Sequence, residues 1–215
     1  MERINRLTTT KAIAAFAMAI ALMLLMTMGA GQAHADTVYK SLAGGKGTVA
    51  ISYEKGSSQV ILESSCSNAK PLAVKLSNKS VARVSVSGGQ IVVTAKKPGT
   101  TTLKYRWNKK NHTVKIKVYK YQNPLKSLTI GGKQYKSKFA KHRVVALGSK
   151  IPSGTVRVTG AKNWKVKEIS YGYDVSIRLK NGSKLPKRSM GFLWVTVYNT
   201  HTKVTEDLSL GWAKW

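Results

Sequence analysis

The stretch SVARVSVSGGQIVVTAKKPGTTTLKYRW, Ser80 to Trp107, decides the fold. Ala82, Val84 and Val86 alternate with Arg83, Ser85 and Ser87, Gly88-Gly89 offers a reversal, and Ile91, Val93 and Ala95 alternate on the return. Pro98-Gly99 supplies a second turn, because proline presets φ and glycine accepts positive φ. Leu103, Tyr105 and Trp107 then line a third apolar face, with Lys104 and Arg106 on the opposite one. A period of two in β-branched and aromatic residues marks half-buried strands. Turns this short predict consecutive antiparallel strands. The stretch contains no carboxylate. It is therefore either sandwich scaffold with a cationic wet face or a grip for a polyanion.

The same alternation runs outward from it. Val49, Ile51 and Tyr53 share a face in TVAISY, as do Leu72, Val74 and Leu76 in PLAVKLS and Val114, Ile116 and Val118 in HTVKIKVYK. Farther on, Val175, Ile177 and Leu179 form one set, and Leu193, Val195 and Val197 another. Gly44-Gly45, Gly131-Gly132 and Asn181-Gly182 punctuate the runs as turns. Helical periodicity is absent beyond the N-terminal segment. Many short strands between turns predict an all-β chain. Tyr121-Gln122-Asn123-Pro124 divides it, since Asn-Pro initiates a turn before a new strand pattern at LKSLTI. The expected organisation is a signal peptide over 1–35 and two small antiparallel β-sandwich domains, 36–121 and 122–215. Each is near the size of a seven-strand sandwich and large enough for one core.

The core of the opening stretch resembles the bacterial Ig-like group 2 (Big2) domain. Ser77, Val81, Ala82, Val84, Gly89, Val92 or Val93, Ala95, Gly99, Thr100, Thr101 and Leu103 match that family's pattern, although KPLAVKLSNKS lacks the Trp often found upstream. The resemblance implies an Ig-like β-sandwich in the first domain. It also implies a bacterial surface or secreted protein in which the module serves adhesion or spacing. The motif is a folding signature and names no site residue. The second domain carries no such resemblance.

The N-terminal segment reads as an export signal. Arg3, Arg6 and Lys11 precede the apolar run AIAAFAMAIALMLLMTM, and Ala33-His34-Ala35 forms a cleavage signal before Asp36. A retained anchor is the rival reading, but the run sits at the lower limit of what spans a bilayer. After residue 35 the chain carries 34 Lys and Arg against seven carboxylates. The expected location is secreted or at the cell surface.

This charge balance narrows the chemistry. Between Glu63 and Glu168 lie 24 Lys and Arg and no Asp or Glu. A glycosidase needs two facing carboxylates and a hard-cation site several converging oxygens. Glu206 and Asp207 are neighbours on a predicted strand and so point to opposite faces. The seven carboxylates are therefore read as solvated counter-charges. His112, His142 and His201 stand far apart without metal-ligand spacing, and each reads as a surface or loop residue. Cys66, the only cysteine, permits no intramolecular disulfide and reads as a small buried residue. GGKGT at 44–48 lacks the Ser or Thr and the βαβ context of a phosphate loop. No catalytic residue, cofactor or metal is expected.

Two basic clusters remain. KYRWNKKNH supplies Lys104, Arg106, Lys109 and Lys110 beside Tyr105 and Trp107, and GGKQYKSKFAKHR supplies Lys133, Lys136, Lys138, Lys141 and Arg143. Trp107 reads as core or core edge. Trp194, Trp212 and Trp215 are either core or stacking platforms. Clustered cations raise the local field and release counterions from a charged polymer. An excess of Lys over Arg suits diffuse attraction more than bidentate recognition. The leading reading is a non-enzymatic, surface-associated binding module for a polyanionic cell-wall polymer, acidic glycan, DNA or anionic membrane face. The competing reading is a spacer, or a docking module for another surface protein, whose charge serves solubility.

Overall fold

The computed structural model describes residues 46–54, 58–62, 71–87, 90–173 and 175–213. The expected signal peptide, Cys66, the Gly44-Gly45 and Gly88-Gly89 turns and Trp215 lie outside these residues. The fold is all-β, and its strands form two sandwiches.

In the first sandwich, β1 (Lys46–Tyr53), β7 (Lys110–Lys120), β6 (Gly99–Trp107) and β3 (Leu72–Leu76) make a four-stranded sheet in that order. It faces a three-stranded sheet of β2 (Ser58–Leu62), β5 (Gln90–Ala95) and β4 (Ala82–Ser87). The inward residues interdigitate as the alternation predicts. Ile91, Val93, Leu103, Val114 and Ile116 are fully buried, and Trp107 packs at the edge of this core.

The second sandwich pairs a sheet of β14 (Lys184–Leu185), β11 (Gly154–Gly160), β8 (Leu125–Ile130) and β9 (Lys133–Gln134) with a five-stranded one. The latter runs β10 (Val144–Ala146), β16 (Thr205–Ala213), β15 (Met190–Asn199), β12 (Trp164–Gly172) and β13 (Ser176–Arg178). Leu193, Val195 and Val197 meet Leu128, Val156 and Leu208 in its core. Among the described residues no strand of 46–120 pairs with a strand of 125–213.

Four details depart from the sequence reading. The opening stretch does not stay in one sheet: β4 and β5 pair, but β6 belongs to the opposite sheet. Pro98-Gly99 is thus a crossing between layers. Gly99, at φ +150, is needed there because a Cβ would lie 2.8 Å from Cγ2 of Val81. Among the described residues two pairings are parallel, β1 with β7 and β10 with β16, which alternation alone does not disclose. A bulge between Leu72 and Lys75, with Ala73 at φ 51, breaks the alternation of β3, leaving Leu72 61% exposed. Val175 and Ile177 do not face a core; Val175 precedes the edge strand β13, Ile177 lies within it, and they are 74% and 50% exposed. Val86, near the end of β4, is likewise exposed.

Candidate polyanion-binding face

Lys104 and Arg106 stand exposed on the outer side of β6, because Leu103 and Tyr105 take the inner one. The register adds neighbours to them. Lys75 on β3 lies directly opposite Lys104, and Lys115 on β7 lies opposite Thr102. Lys117 lies opposite Thr100 on one side and Ala50 on the other. Val114, Ile116 and Val118 are buried, which turns Lys115 and Lys117 outward with Lys104. These five cations therefore share one sheet face, over roughly 20 Å along the strands and 10 Å across them. Thr48, Thr100, Thr102 and Thr113 lie between them on the same face. None of these four strands contains an Asp or Glu.

Like charges directly opposite across a sheet repel. Lys75 and Lys104 are such a pair, so the face is held together against its own electrostatics. A bound polyanion would relieve that repulsion.

The tip of the β6–β7 hairpin extends the face. Asn108 and Lys109 have φ of 46 and 61, the two positive values of a type I′ turn that matches strand twist. Trp107 pairs with Lys110 across it, and Lys109 and Lys110 are both exposed. His112 corrects the loop reading. It sits inside β7 and stacks on buried Tyr105, with ring centroids 4.9 Å apart, because its position has the inward parity of Val114. Burial pushes the Tyr105 hydroxyl up to about 12.

The second cluster is elsewhere. Lys133, Lys136, Lys138 and Lys141 are exposed, and Lys133 lies 5.9 Å from the Tyr135 ring centre. Lys136–Phe139 is a 3₁₀ turn anchored by buried Phe139. Asn123 Nδ2 donates to Lys136 O at 2.9 Å, and Tyr121 Oη donates to Phe139 O at 2.9 Å. The cluster is thereby tied to the connector at the Lys120 end of β7, whereas Lys109 is at the other end. The structure does not bring the two clusters together. Arg143 departs from its cluster altogether: its Nε donates to Glu54 Oε2 at 2.8 Å and its Nη1 lies 3.6 Å from Glu206 Oε2.

The carboxylates are not all solvated counter-charges. Glu206 is 2% exposed, while Asp207 points the other way and accepts from Thr196 Oγ1 at 2.7 Å. Among the described residues no group of three His, Cys, Asp or Glu is placed to hold a metal ion. Trp212 is buried against Tyr171 and its Nε1 donates to Arg188 O at 3.2 Å, while half-buried Trp194 stacks on Phe192. Trp212 therefore presents no free ring face for a sugar.

Lys104, Arg106, Lys109 and Lys110 were legible as a cluster in the sequence. Lys75, Lys115 and Lys117 were not, since only the cross-strand register puts them beside Lys104. Their signal was the Lys at every second position of VKIKV, which reads first as the wet side of a strand.

No protein-family model and no curated protein matches the chain. Among solved structures, it is similar to fibronectin(III)-like modules of Clostridium thermocellum CbhA, with 12% identity over 77% of this chain and 90% of that one and a TM-score of 0.30. It is similar to domains 5-6 of the S-layer protein SbsC, at 14% identity over 76% and 92%, with a TM-score of 0.28. The human protocadherin-24 EC1-2 pair shows 11% identity over 78% and 94%, with a TM-score of 0.26. Overlap of that size supports no inference about this chain's function.

Proposed function

We propose that this chain is an exported, surface-associated binding module that attaches to polyanionic polymers and catalyses no reaction. The observation that carries the reading is the outer face of the four-stranded sheet, where Lys75, Lys104, Arg106, Lys115 and Lys117 lie together on strands without a carboxylate. A flat, mostly Lys array suits a chain of repeated charges more than one bidentate group. Its partners are a phosphate- or carboxylate-bearing cell-wall polymer or an acidic glycan. Export rests on the basic and apolar N-terminal segment and its Ala33-His34-Ala35 signal. Among the described residues no helix is long and apolar enough to cross a membrane.

The test compares two variants of residues 36–215 on inorganic polyphosphate, hyaluronan and neutral dextran at about 0.15 M salt, where exposed charges are already screened. Replacing the five face cations with Thr is expected to weaken polyphosphate binding at least tenfold. Replacing Lys133, Lys136, Lys138 and Lys141 with Gln is expected to change it less than threefold. Equal losses in the two variants would return the charge to a diffuse role. Binding of no polymer by the wild type would favour the spacer or docking reading.

A further inference from the structure

The outer face of the five-stranded sheet in the second sandwich has a chemistry unlike that of the cationic face. β15 is its central strand. Leu193, Val195 and Val197 fill the core, so Phe192, Trp194, Thr196 and Tyr198 stand on the opposite side. From Phe192 to Tyr198 this row runs roughly 20 Å along the strand. Phe192 is buried, with Tyr173 and Trp194 stacked against it at ring-centre distances of 6.1 and 5.5 Å and interplanar angles of 9° and 22°. The rings that reach solvent are therefore those of half-buried Tyr173, Trp194 and Tyr198. Lys167 Nζ lies 5.3 Å from the Tyr198 ring centre.

The register decides what surrounds the rings. Trp194 lies between Ser170 and Ser209, and Thr196 between Glu168 and Asp207. A large ring between two serines stands above its neighbours. Thr196 Oγ1 donates to Asp207 Oδ1 at 2.7 Å, and Glu168 Oε2 lies 3.7 Å from Arg178 Nη2. Carboxylates and cations are thus interleaved here, whereas the strands of the cationic face contain no carboxylate. Aromatic surface with a few placed polar groups is the usual make-up of a site that orients a small polar ligand.

We propose that this face binds a neutral, β-linked glycan chain, with Trp194 as its stacking platform and Ser170, Thr196 and Glu168 as partners of the sugar hydroxyls. A pyranose with equatorial substituents turns C–H groups towards a ring below it and hydroxyls outward around its rim. Each hydroxyl both donates and accepts, so it can use a carboxylate and a serine or threonine hydroxyl alike. An acidic polymer would meet Glu168 and Asp207, which disfavours it here. Equatorial linkage also gives a flat, extended chain, the shape that a straight row of side chains along one strand can follow. Because Trp194 and Tyr173 are already held against Phe192, little side-chain freedom is lost on binding.

The proposal does not rest on the polyanion reading and uses a different probe. Residues 36–215 are titrated calorimetrically with cellohexaose and chitohexaose, two neutral β-linked hexasaccharides, and with α-linked maltohexaose. At least one β-linked chain is expected to bind, and maltohexaose more weakly than it. Its affinity is expected to stay the same between about 0.05 and 0.5 M salt, a range over which exposed charges become strongly screened. Trp194→Leu keeps an apolar side chain but removes the ring, and is expected to weaken binding about tenfold or more. Trp194→Phe, which keeps a ring, is expected to retain most of the affinity. No binding of either β-linked hexasaccharide by the wild type overturns the proposal without need of any variant. Equal affinity in Trp194→Leu overturns the platform, equal binding of maltohexaose overturns the flat-chain ligand, and loss of binding with rising salt would assign it to charge instead.

Discussion

Arg143→Leu is expected to lower the thermal midpoint by about 10 °C at pH 8, and by clearly less at pH 5. The substitution leaves Glu206, 2% exposed, and half-buried Glu54 without the cation they share. Removing one partner of a buried ion pair typically costs about 3–5 kcal/mol, because the other charge stays buried and unpaired. In a chain of this size 1 kcal/mol corresponds to roughly 2–4 °C. The pH dependence follows from Glu206. Its raised pKa, about 7 even beside Arg143, climbs further when Arg143 is lost. A protonated Glu206 needs no counter-ion, so the penalty shrinks below neutrality. Adding Glu206→Gln to Arg143→Leu should recover much of the loss at pH 8. Calorimetry at both pH values checks it, and an equal drop at pH 5 and 8 would mean that Arg143 contributes packing alone.

Gly131→Ala is the second large effect, expected to cost about 2–4 kcal/mol. Gly131 sits between β8 and β9 at φ +58, where a Cβ would run into the Ser153 carbonyl of the neighbouring strand connection. The left-handed conformation alone costs an L-residue about 1–2 kcal/mol, and the backbone on the other side cannot rotate away as a side chain would. The adjoining Gly132, at φ +81, has nothing within 4 Å of its Cβ position. Gly132→Ala therefore incurs only the conformational term. Denaturant midpoints of the two variants compare them directly. If they coincide, the close approach to Ser153 is wrong.

Much of this architecture is legible from single residues. Leu103, Val114 and Ile116 reveal their burial through a period of two, since any other face would expose them. What alternation cannot supply is which strands pair. β1 runs parallel beside β7, and β6 crosses to the layer opposite β5. Both are settled by contacts distant in sequence. The bulge at Ala73 inverts Leu72 within a run that looks regular.

The site divides in the same way. Lys104 and Arg106 are evident because they interrupt an apolar series, but their neighbours depend on register. Lys75 joins Lys104 only through the β3–β6 pairing, after the bulge has set its phase. For Glu206 and Asp207 adjacency correctly implies opposite faces. Which face is dry depends on the other sandwich arriving over it with Ser52 and Glu54. Charge counting treats a lone Glu on a basic chain as solvated, and it misplaces Arg143 for the same reason.

The account rests on the five-cation face gripping polyanions by releasing their counterions, and the salt dependence of binding measures that most directly. Single-stranded DNA, a probe with regular phosphates, is titrated with residues 36–215 and with the variant carrying Thr at positions 75, 104, 106, 115 and 117. Each neutralised phosphate contributes about −0.7 to the slope of log Kobs against log salt for a single strand. Five engaged cations predict a slope shallower by about 3 to 3.5 in the variant than in the wild type. Equal slopes would contradict the account, because the phosphates would then be held by cations outside this face.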